Sequence, residues 1–185
     1  MKYLITGLGN IGMKYDHTRH NIGFDILDHL AAKYDTSFTQ DQQGDIARIK
    51  HKGRSLILLK PSTYMNLSGK AVRLWATKEK IPLERILIVV DEVALPLGKI
   101  RIKGKGSSGG HNGLQNIEDM MGTSKYPRLR FGIGNDFPKG RQIDFVLGRW
   151  SETEEQVILE ALPTAVEAIL SFCTIGLART MNQFN

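Results

Sequence analysis

The chain has 185 residues, 41% of them apolar and 24% charged, with a formal charge of +6 and a single cysteine, Cys173. That length suits one domain spanning 1–185 with a sizeable core. No unbroken apolar run approaches the roughly 18 residues of a bilayer crossing, the first residues lack a signal-peptide pattern, and one cysteine excludes an internal disulfide framework. A cytoplasmic protein without membrane attachment is expected. Between positions 97 and 150 there are ten bases and four acids, which is the whole net excess of six. Clustered bases fit either a phosphate-rich partner or a solvated surface.

The first apolar run, 2–7, reads as a buried strand, followed by a polar loop to Arg19. Ile22, Ile26, Leu27, Leu30 and Ala31 recur at helical spacing across 21–34. Runs 46–50 and 55–60 flank Lys52-Gly53-Arg54 and predict a hairpin. A second helix is expected over 68–79, capped by Asn66 or Ser68. Residues 86–90 form a continuous apolar run, the pattern of a strand buried on both faces, and it ends at Asp91. Ile100 and Ile102 alternate with Lys99, Arg101 and Lys103, a strand with one basic face.

A glycine-rich loop, 104–113, leads to a short helix with Leu114, Ile117 and Met121 inward and Gly122 as its stop. Residues 128–133 read as another alternating strand. Ser151 to Glu154 forms a capping box opening a long helix to about Phe172, which Pro163 should kink or divide. The class is therefore α/β: a single domain with a mixed twisted β-sheet flanked by helices.

Gly7, Gly9 and Gly12 stand at G-x-G-x-x-G spacing behind the first strand. A dinucleotide site also needs a helix opening at the last glycine and an acidic residue about 20 positions on, at the end of the next strand. Neither is present, because helical periodicity resumes only near Ile22 and Asp25 and Asp28 fall inside that helix. The glycines read instead as a tight turn.

Polar residues gather at element ends: Asn10 and His20, Tyr64 and Asn66, Asp91, His111 and Asn112. Ligand sites in open α/β sheets lie at the carboxyl ends of strands. A histidine steadied by an aspartate takes a proton from water, and amides stabilise the resulting oxyanion. G-x-S-x-G is absent, so direct water attack fits better than an acyl-enzyme. A metal reading would use His17-x-x-His20 with Asp91 or Glu92, without the usual H-E-x-x-H helix or cysteine pair. His17, His29 and His51 otherwise read as surface or structural residues.

GLGNIGMKYDHTRHNIGF, KPSTYMNLSGKAV, DEVALPLGKIRIKGKGSSGGHNGL, RLRFGIG, DFVLGRW and MNQFN occur in that order, from about Lys2 to Asn185. The ordered set resembles the bacterial peptidyl-tRNA hydrolase family. The resemblance implies a monomeric, metal-independent and cofactor-free enzyme. Its reaction would be hydrolysis of the ester between a peptide's C-terminus and the 3′ ribose of tRNA. By position, His20 matches the general base, Asp91 its orienting partner, and Asn10 the residue that positions the substrate. Asn66 and Asn112 match amides holding the acyl carbonyl and the 3′ terminus. Tyr15 and Tyr64 match aromatic positions lining the 3′-end site, with Met65 and His111 beside them. Lys103 and Arg130 match a basic pair gripping the 5′ phosphate, with Lys105 assisting. Many members have proline where this chain has Ile11, and aspartate where it has Ala94. The rival is a non-catalytic RNA-binding module, which would need neither His20 nor Asp91.

Overall fold

A computed structural model describes all 185 residues. Seven strands form one sheet in the order β2-β3-β4-β1-β5-β7-β6. Strand β1 (Lys2–Gly7) lies between β4 (Arg54–Pro61) and β5 (Ile86–Glu92), parallel to both, and β7 (Arg128–Gly132) extends the parallel set beyond β5. Strand β3 (Gly44–His51) makes the expected antiparallel hairpin with β4, and β2 (Thr39–Asp41) extends it. Strand β6 (Ile100–Lys103) runs antiparallel to β7 at the opposite edge, so the sheet is mixed.

Side-chain alternation on the strands separates two cores. Tyr3, Ile5, Leu87, Val89, Leu129 and Phe131 face α1 (Ile22–Lys33) and α5 (Glu152–Ile175). Leu4, Ile57, Leu59, Ile88 and Val90 face α2 (Ser68–Lys78) and α3 (Asn112–Met121). The central strands are apolar at successive positions because helices cover both of their sides. On α2, Trp75 is wholly buried, and its indole N–H donates to the Gln42 carbonyl at 2.8 Å. Truncating such a residue to alanine costs roughly 3–5 kcal/mol.

Several local expectations are corrected. Pro163 does not divide α5, which continues unbroken to Ile175 and ends at Gly176. Ile158, Leu162, Ala165 and Val166 bury one flank on both sides of the proline, and that packing carries the helix past one missing amide. By length and composition α5 could cross a membrane, yet half of its most apolar window is buried within the fold. Neither Asn66 nor Ser68 caps α2: the cap position is Leu67, and the Ser68 hydroxyl donates to the Met65 carbonyl at 2.7 Å.

Strand β7 does not alternate, because Arg128 is wholly buried. Its guanidinium donates to the carbonyls of Gly106, Ser124 and Tyr126 and lies 4.0 Å over the Tyr126 ring. One base of the cationic window is therefore internal. The predicted capping box is present, with the Ser151 hydroxyl accepting the Glu154 N–H and the Glu154 carboxylate accepting the Ser151 N–H. Three short elements lie outside the sequence expectations: the exposed three-residue β2, the five-residue α4 (Gln142–Val146) and the eight-residue α6 (Leu177–Phe184).

Candidate active site

The glycines of the opening turn serve a backbone crossing. A Cβ on Gly7 would stand 2.3 Å from the Gly23 carbonyl oxygen, and one on Gly23 would stand 2.6 Å from the Leu8 nitrogen. Strand β1 and helix α1 thus pass where only hydrogens fit. Between them the chain makes two 3-10 turns, Met13–Tyr15 and Arg19–Asn21, and the second delivers His20 to the end of β5.

There Asp91 accepts from two histidines. His20 Nδ1 lies 2.7 Å from Asp91 Oδ2, and His111 Nε2 lies 2.8 Å from Oδ1. The two imidazole centroids are 5.0 Å apart. His111 also caps α3, its Nδ1 accepting the N–H groups of Gly113 and Leu114 at 3.1 and 3.3 Å. An imidazole whose Nδ1 accepts must carry its proton on Nε2, so His111 is neutral and donates to Asp91. Asp91 is 5% exposed. Burial alone would raise its pKa, but the two histidines hold it well below the usual carboxylate range. For His20, burial pulls the pKa down, while the attraction of Asp91 and its hydrogen bond outweigh that, so the pKa is raised. With Asp91 ionised, neutral His20 donates through Nδ1 and keeps the lone pair on Nε2.

The donor atoms of His20, Asp91 and His111 lie within 4.8 Å of one another, close enough to suggest a metal. The outer hydrogen bonds argue otherwise. A ligating histidine donates its second ring N–H to an outer partner, whereas the second nitrogen of His111 accepts two amides. The trio is a hydrogen-bonded dyad with a third member. His17 does not join it, because its Nδ1 pairs with Asp25 Oδ1 at 2.9 Å. Burial pushes the Asp25 carboxyl up to about 6.

His20, Asp91, His111 and Asn112 line a cleft of about 640 Å³, walled also by Val93, Phe137, Ile143 and Val146. Asn10 is 8% exposed and joins two connections. Its Oδ1 accepts the Met65 N–H at 2.7 Å, its backbone N–H donates to Asn21 Oδ1 at 2.8 Å, and Asn21 Nδ2 donates to the Asn10 carbonyl at 3.0 Å. This orientation leaves the Asn10 NH₂ without a protein partner. Tyr15 and Tyr64 meet edge to face with centroids 6.3 Å apart, and Tyr64 is 52% exposed. The Met65 sulfur packs against Gly113 at the start of α3, which connects this group to the dyad. Asn66 and Asn112 are both exposed.

The basic residues divide into two kinds. Lys103 and Lys105 are exposed. Arg130 is mostly covered, its Nη1 donating to Glu92 Oε1 at 2.5 Å and its Nη2 to the Ser107 carbonyl at 3.0 Å. Sequence reasoning passed over three contacts: Asn21 on Asn10, His111 on Asp91, and Glu92 on Arg130. Asn10 with Asn21 and Asp91 with His111 each lie within one motif segment, whereas Glu92 and Arg130 come from two, so membership of the motifs was the one available signal.

The molecule is an α/β protein whose seven-stranded mixed sheet carries a His–Asp pair at the carboxyl end of β5, the arrangement of a general base with its orienting carboxylate. A family profile described as Peptidyl-tRNA hydrolase matches residues 4–185. The peptidyl-tRNA hydrolase of Phocaeicola vulgatus is 60% identical over 185 residues, covering 100% of this chain and 99% of the relative. That of Porphyromonas gingivalis is 55% identical over 185 residues, with 100% of both covered. A crystal structure of peptidyl-tRNA hydrolase from Acinetobacter baumannii superposes with a TM-score of 0.92 at 37% identity, covering 99% of this chain and 94% of that one. The chain belongs to the peptidyl-tRNA hydrolase family.

Proposed function

We propose that the chain hydrolyses the ester joining the C-terminal carboxyl of an N-blocked peptide to the 3′ ribose of tRNA, with His20 activating the water. The observation that carries this is the 2.7 Å bond from His20 Nδ1 to a carboxylate whose other oxygen is already engaged by His111. Asp91 orients the imidazole, and Nε2 takes a proton as the water oxygen attacks the acyl carbonyl. The tetrahedral oxyanion accepts from side-chain amides, a part assigned to Asn10 and Asn112. Collapse breaks the bond to the ribose oxygen, which leaves with the proton held on His20. The products are a free peptide and a tRNA with its 3′ hydroxyl restored.

The remaining roles follow the family pattern. Tyr15, Tyr64 and Met65 receive the 3′ end, and Asn66 holds the acyl group or terminal ribose. Lys103 and Arg130, with Lys105, meet the 5′ phosphate of the acceptor stem. The enzyme acts as a cytoplasmic monomer, without a metal or cofactor. The test is release of N-acetyl-aminoacyl groups from tRNA, with and without chelator. His20→Ala should lower turnover by roughly 10²–10⁴-fold while tRNA affinity stays nearly unchanged. Undiminished turnover in that variant would sink the His20 mechanism, whereas tRNA binding without turnover by the unaltered chain would favour the binding-module reading.

A further inference from the structure

Arg130 is placed as a brace rather than as a free cation. Its side chain is 14% exposed, and both terminal nitrogens are engaged, one by Glu92 and one by the Ser107 carbonyl. Glu92 directly follows Asp91 on β5, and alternation sends the two carboxylates to opposite faces. Asp91 meets the histidines, and Glu92 shares the face of Val90 and Arg130. Ser107 belongs to the glycine-rich loop that leads to His111 and Asn112. Gly106 and Gly109 cross close to the guanidinium, where a Cβ would stand 3.9 Å from Nη2 and 3.8 Å from Nη1 respectively. The contacts close a circuit: Glu92 to Arg130, Arg130 to Ser107, the loop to His111, and His111 back to Asp91 at 2.8 Å.

We infer that Glu92 and Arg130 are positioning residues for hydrolysis, holding the glycine-rich loop so that His111 and Asn112 keep their places beside Asp91. This rests on the hydrolytic reading of the cleft. A guanidinium has five N–H donors in a fixed fork, so Arg130 keeps donors for a phosphate while spanning Glu92 and Ser107. A lysine offers the same charge without the fork. Charge and bracing are therefore separable.

The experiment measures kcat and KM for Glu92→Gln and Arg130→Lys on N-acetyl-aminoacyl-tRNA, before and after phosphatase removes the 5′ phosphate. Glu92→Gln leaves the Arg130 charge free for phosphate and loosens the brace. Both variants should lose kcat on both substrates, by roughly ten- to hundredfold, the scale of an ångström-sized misplacement. KM on the 5′-hydroxyl substrate should change little. The His111 Nε2 proton should be sharp in NMR spectra of the wild type and broadened in Glu92→Gln. Glu92→Asp, which keeps the charge with a shorter reach, should fall between wild type and Glu92→Gln. Wild-type kcat for both variants on the 5′-hydroxyl substrate, with losses confined to KM on the phosphorylated one, would overturn the inference and leave Arg130 as a phosphate grip alone. Failure of the hydrolytic reading would look different: no turnover by the wild type, or full turnover by His20→Ala.

Discussion

At Asp91 one carboxylate serves two imidazoles, and the fixed donor state of His111 dictates what a substitution would do. In Asp91→Asn the amide oxygen must face the His111 Nε2–H, so the amide NH₂ faces His20. It would then donate to Nδ1 and drive the His20 proton onto Nε2, removing the lone pair that accepts the water proton. Turnover should fall substantially, though less than on loss of His20. Wild-type rates in Asp91→Asn would remove Asp91 from the mechanism. The base must be neutral to act, and its pKa is raised by Asp91. Accordingly kcat/KM should rise with pH through an inflection above about 6.5 and then level off. In Asp91→Asn that inflection should move downward, a shift readable from a pH–rate profile. For stability the sign is opposite: the protonated His20–Asp91 pair stabilises the fold below about pH 6.5, and that contribution is lost as pH rises through the raised pKa.

Among the elements, α5 gives the clearest physical test. Pro163 is exposed yet interior to a helix of 24 residues, so it withholds one amide while adding nothing to the core. Pro163→Ala restores that hydrogen bond and relieves the ring, while the unfolded chain gains freedom. The net gain should be about 1–2 kcal/mol in chemical denaturation, with turnover unaffected because α5 contributes no residue to the cleft. A loss of stability would mean that the proline shapes a bend on which the packing of α5 depends.

At the scale of the whole molecule, bases gather at one edge of the sheet and glutamates along α5. Arg101, Lys103 and Arg130 alternate onto the side of α2 and α3 at the β7–β6 edge, where Arg101 and Arg130 are register partners. On the opposite side, α5 carries Glu152, Glu154, Glu155, Glu160 and Glu167. Such a field orients a polyanion toward the basic edge. Lys103, exposed and without an anionic partner, should act through KM: Lys103→Ala should weaken tRNA binding and reduce the log–log salt slope by about 1. A kcat defect at unchanged KM would contradict the phosphate contact.

Much of this was legible in one dimension. The 2-residue and 3.6-residue periodicities, the capping box, the hairpin and the buried run ending at Asp91 depend on neighbours within a few positions. Local pattern records those directly. The ordered motifs also marked His20, Asp91 and Asn10. Only the tertiary structure decided which motif residues touch. His20 and Asp91 are 71 positions apart, Glu92 and Arg130 are 38, and Asp91 and His111 are 20. Sheet order and crossovers bring these pairs together, and neither is written into local periodicity. The same reason explains why Arg128, counted within the basic window, is internal, and why the Arg130 guanidinium is found bonded to Glu92 and the Ser107 carbonyl.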